Sequence, residues 1–124
     1  MKENVEKLVD VIKKQAKMFL LEAGEFYPFG SYINNKNEVV PVGASSGDDH
    51  PPSLELIDLL EKALKEHIQK GDCKLAAIAI DVAIKEHGRS FDAIEMRFLE
   101  ANKVVNKKYY KYELKQHSVE FFDN

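Results

Sequence analysis

The chain has 124 residues, of which 44% are hydrophobic and 31% charged, and carries a net charge of −3 at neutral pH. That length suits a single domain, 1–124, burying roughly two thirds of the surface its unfolded chain exposes, and the composition fits neither a disordered nor a membrane class. One cysteine, Cys73, leaves no disulfide or Cys–Cys metal site within the chain, and the acidic balance argues against general nucleic-acid binding, which depends on neutralising phosphates.

From Lys2 to about Glu22, Val5, Leu8, Val9, Ile12, Ala16, Phe19 and Leu20 recur at three- and four-residue spacing, which predicts an amphipathic helix stopped by Gly24. Charges are spread through this stretch with no continuous apolar block, so it does not read as a signal peptide, and a cytoplasmic location is expected. Two β-prone runs, Phe26 to Ile33 and Glu38 to Ala44, flank the polar Asn34 to Asn37 and predict a hairpin. Pro28 and Pro41 place that hairpin at one side of a sheet, because proline cannot donate to a ladder.

Ser45 to Pro52 has loop composition, and Leu54, Ile57, Leu60, Leu64 and Ile68 then mark a second amphipathic helix, from Ser53 to about Lys70, ended by Gly71. Lys74 to Ile84 alternates Ile78, Ile80, Val82 and Ile84 with Ala77, Ala79, Asp81 and Ala83, the pattern of a central strand with a large-residue face and a small-residue face. A turn at Glu86 to Ser90 leads into a strand from Phe91 to Glu100. Ala101 to Val105 is expected to turn the chain before a last clear strand from Tyr109 to Lys115, and Val119, Phe121 and Phe122 are expected to dock on the body.

The resulting expectation is an α+β domain of order αββαβββ, with two helices packed on one face of a mostly antiparallel sheet of about five strands. If the large residues of every strand look toward the helices, Ala79, Asp81, Ala83, Glu95, Arg97, Lys111 and Glu113 form an open, mixed face.

Three pieces, Gly24-x-Phe26-x-Pro28-Phe29-Gly30 after a leading helix, an aliphatic strand ending Asp81-Val82, and Asp92-Ala93-Ile94-x-x-x-x-Leu99-Glu100, resemble a group of small bacterial proteins of uncharacterised function. Members often carry an Asp-Gly hairpin turn where this chain has Asn35-Lys36-Asn37. The resemblance implies a bacterial, cytoplasmic α+β domain and supplies no activity.

Among candidate sites, Asp48, Asp49 and His50 form the densest set of metal-ligand or acid/base side chains, although an aspartate just ahead of a helix also suits its N-terminus. Tyr27 and Phe29 are candidate pocket walls, and Asp81 and Arg97 candidate contacts on the open face. Lysines interleaved with Tyr109, Tyr110 and Tyr112 fit a solvated edge strand better than a single-stranded nucleic-acid stripe. The chain has no phosphate-binding glycine loop, dinucleotide fingerprint, nucleophile elbow or metalloprotease helix. The function expected is therefore a non-enzymatic, immunity-like or accessory protein-interaction domain, without metal or cofactor, whose partner is another protein or a second copy in a homodimer, with neither nucleic acid nor membrane involved. The alternative is a small-molecule or divalent-metal-dependent enzyme with its site at the Asp48-Asp49-His50 loop.

Overall fold

A computed structural model describes residues 2–43, 53–100 and 103–122. In chain order these form α1 (Lys2–Ala23), β1 (Phe29–Asn34), β2 (Val39–Val42), α2 (Ser53–Lys70), β3 (Cys73–Glu86), β4 (Arg89–Glu100), β5 (Lys103–Leu114) and β6 (Val119–Phe121). The class is α+β. The strands build one antiparallel sheet in the order β2-β1-β3-β4-β5-β6, so six strands replace the five expected, and β5 starts at Lys103, inside the stretch expected to turn.

Local chemistry accounts for the boundaries. Gly24, with φ +78°, donates to the Leu20 carbonyl at 2.8 Å and closes α1. At the end of α2, Gly71 donates to Ile68 and Asp72 to His67, the paired bonds of a glycine-capped helix terminus. In the β1–β2 turn the Asn34 side chain accepts from the backbone of both Lys36 and Glu38, while Asn37 takes φ 64°. Pro41 sits in β2, an edge strand, where a missing donor is tolerated.

The helices do not share a face. Leu8, Val9, Ile12, Ala16 and Leu20 of α1 cluster with Leu75, Ala77, Ala79, Ile94, Met96 and Phe98. Ile57, Leu60 and Leu64 of α2 instead cluster with Ala76, Ile78, Ile80 and Leu99. Alternation along β3 makes these opposite sides of the sheet. The expectation of one covered face assumed that large residues of neighbouring strands sit side by side. The register instead sets Ala77 opposite Phe98, Ala79 opposite Met96 and Asp81 opposite Ile94. Small residues of β3 thus make room for large ones of β4 beneath α1, while the isoleucines of β3 form the floor under α2. Gly30 lets α2 approach β1, since a Cβ there would lie 3.3 Å from a methyl of Leu64.

Candidate interaction surface

Coverage by α2 is partial. Its contacts fall on β1, β3 and β4, with Val82 at the margin of its cluster, and on this side of the sheet Ile84, Phe91, Tyr109 and Lys111 lie beyond it, half-buried or exposed. At the border a polar chain runs from helix to strand edge. Arg97 Nε donates to Glu95 Oε2 at 2.5 Å, and its Nη1 lies 3.9 Å from Glu61 of α2. Glu95, only 8% exposed, is also hydrogen-bonded by Tyr109, directly opposite it on β5. The Glu95 charge holds the Tyr109 phenol above its ordinary pKa, because a second negative charge beside the carboxylate is disfavoured. The chain Glu61–Arg97–Glu95–Tyr109 neutralises a carboxylate that would otherwise be buried alone.

Beyond it lies a shallow, open trough of about 540 Å³, lined by Ile84, Glu86 and residues 107–111 of β5. Lys111 forms an ion pair with Glu86 and lies 4.8 Å from the Phe91 ring centroid, and Arg89 covers the same ring. The trough thus has an aliphatic and aromatic wall with a basic rim.

The other side of the sheet carries Asp81. It faces the α1 layer, where it accepts from the Tyr112 hydroxyl at 2.6 Å and from the backbone N–H of Phe26. Burial pushes its carboxyl above the ordinary value, with Asp92 and Glu25 adding to the effect against those two hydrogen bonds. The open face expected to join Asp81 with Glu95 and Arg97 therefore does not exist: Asp81 lies on one side of the sheet, Glu95 and Arg97 on the other. Ala77 and Ala79, on the small-residue face of β3, are fully buried under α1.

Tyr27 and Phe29 line an apolar pocket of about 490 Å³ at the end of α1, together with Phe19, Phe26 and Pro28, and with Glu22 and Glu25 at its rim. Phe29 is mostly core, edge-on to both Phe19 and Phe26, whereas Tyr27 is 44% exposed. Asp48, Asp49 and His50 lie outside the described residues. His87, in the β3–β4 turn, is six positions along the chain from Asp81, which accepts from the Phe26 N–H, roughly 20 Å in an extended strand, so the turn lies well apart from the Phe26 to Gly30 segment. Among the described residues no group of three or more His, Cys, Asp or Glu side chains is placed to hold a metal ion, and no helix is long and apolar enough to cross a membrane. Cys73, half-buried at the start of β3, has its thiol pushed up to about 11 by burial, which keeps it protonated and a poor nucleophile at neutral pH.

Glu61, Glu86, Phe91 and Tyr109 were not singled out together from the sequence. Their grouping depends on the β3–β4–β5 register and on which face α2 covers. The signal within reach was the i,i+2 pair Glu95 and Arg97, two opposite charges on one face of a strand. No protein-family model, curated protein or solved structure matches this chain, so its function is argued from these surfaces alone.

Proposed function

We propose that the chain is a protein-interaction domain of the immunity-like or accessory kind, working in a bacterial cytoplasm by covering a partner with the uncovered part of the α2 side of its sheet. The observation that carries this reading is the trough itself, wide, shallow and open beside β5, with Ile84 and Tyr109 accessible within a lysine rim. A small-molecule site encloses most of its ligand, and this surface does not. Tyrosine and aliphatic area ringed by charge is instead the make-up of a protein contact.

The test is affinity capture from the native host with the wild-type chain and with Ile84→Lys, followed by cross-link mapping. The expected result is a stoichiometric partner cross-linked around Ile84, Phe91 and Tyr109 and lost in the variant. Recovery of no stoichiometric partner, a second copy included, overturns the reading.

A further inference from the structure

The geometry points to the outer edge of β5 as the place where this surface takes its partner, by adding an extended acidic segment to the six-stranded sheet. This deepens the interaction-domain reading and rests on it. β5 runs from Lys103 to Leu114 and pairs with β4 along its length, whereas β6 and the residues flanking it cover its outer side only from Lys111 onward. Among the described residues no strand lies against the rest of that edge.

The direction of the backbone groups follows from the bonds at the β6 end. Phe122 donates to the Lys111 carbonyl and Lys115 donates to Ser118, so the odd-numbered residues turn their backbone groups outward there. Alternation carries this back along the strand, and Lys107 presents its N–H and C=O to the outer edge. An incoming strand continuing the line of β6 meets a ready ladder, the geometry of β-augmentation.

The side chains select the occupant. Lys107 and Tyr109 lie on the α2 side of β5 and Lys108 on the α1 side. Lys111 is already paired with Glu86, which leaves Lys107 and Lys108 to answer a partner's charge. A fitting segment has two adjacent acidic residues, one for each face, next to an apolar residue that packs on Tyr109. A second copy of this chain fits poorly. Antiparallel self-pairing centred on Tyr109 sets Lys107 against Lys111 and Lys108 against Tyr110 on both sides of the dyad, so neither lysine meets an acidic residue directly opposite.

The probe is a fluorescein-labelled peptide of about eight residues alternating Asp-Glu pairs with isoleucine, compared with the same peptide carrying lysine for every acid. Two variants separate main-chain pairing from charge. Lys107→Pro removes an outward N–H without touching the β4 ladder, and Lys107→Glu with Lys108→Glu reverses the rim; circular dichroism checks that each folds. The expected result is saturable binding of the acidic peptide alone, weakened about tenfold or more in each folded variant. Equal binding of both peptides, no binding of either, or unchanged binding to Lys107→Pro overturns the proposal. So does a dimer in light scattering that Lys107→Pro dissolves, which assigns the edge to a second copy. A partner captured by Lys107→Pro as well as by wild type, and cross-linked only around Ile84 and Phe91, overturns the edge and leaves the interaction-domain reading standing.

Discussion

Asp81 shows how a carboxylate can be held in place and still cost stability. Its carboxyl is raised above the ordinary 3.8, chiefly by burial, so the folded chain binds that proton more tightly than the unfolded one. The contribution is complete below the ordinary value and lost as pH climbs through the raised one. At neutral pH the ionised group therefore works against folding. Asp81→Asn keeps one acceptor oxygen, for the Phe26 N–H, and an amide that the rotatable Tyr112 hydroxyl can accept from, but carries no charge, so Asp92 and Glu25 no longer face a like charge. It is expected to melt at or slightly above the wild-type temperature at pH 7, with the gap closing as pH falls through the raised value and gone below the ordinary 3.8; a pH series of thermal melts reads this directly. Arg97 is the opposite case. Arg97→Met leaves Glu95 buried with Tyr109 as its remaining partner and is expected to cost about 2 kcal/mol in urea unfolding. Adding Glu95→Gln recovers part of that loss, and no recovery would mean that Arg97 acts through its packing rather than its charge.

At the scale of elements, both helices were legible because each carries a full apolar stripe and a glycine stop. So were the asparagine turn and the alternating β3. The side on which each helix sits was not legible, since an alternating strand shows that two faces exist and leaves open which face of β4 meets which face of β3. Ala77 could lie beside Phe98 or beside a small residue, and only the register decides. The start of β5 was missed because residues 103–108 mix asparagine and lysine with valine and carry no clear period. Asp48, Asp49 and His50, from one stretch of loop composition, lie outside the described residues. Gly30 belongs to the Gly24 to Gly30 segment, and its packing role follows from α2 lying against β1. Gly30→Ala sets a Cβ 3.3 Å from Leu64 Cδ1 and 3.5 Å from the Ala77 carbonyl oxygen. Because the leucine can give and the backbone cannot, the expected cost is about 1 kcal/mol, rising steeply for Gly30→Val. Equal stability of the two variants in denaturant melts would mean that α2 moves off the sheet freely.

Across the whole molecule, order radiates from β3, which has helices above and below it and a strand on either side. Toward β5 the α2 layer ends, whereas on the other side the α1 layer continues to β6, with Tyr112 and Val119 in its core and Lys13 over the Tyr110 and Phe121 rings, so cover is lost on the α2 side and along the outer edge of β5 before β6 begins. This gradient makes the β5 edge the part of the sheet best able to exchange neighbours, and it has a signature at single-residue resolution. Amide exchange is slow where an N–H is paired inside the sheet and fast where it faces solvent. The N–H of Ile78 and its neighbours in β3 should therefore exchange only on global unfolding. Along β5 the rates should alternate, slow at Lys108 and Tyr110, which turn toward β4, and fast at Lys107, which turns outward. Nuclear magnetic resonance exchange measurements on the free chain check this pattern before any partner is known. Uniform protection through residues 107–110 would show the edge already covered, and uniform fast exchange would show β5 too loosely held to serve as a template. When the acidic peptide is added, Lys107 should slow while Lys108 and Tyr110 change little, because a strand arriving on the outer edge closes the outward bonds and leaves the inward ones as they were.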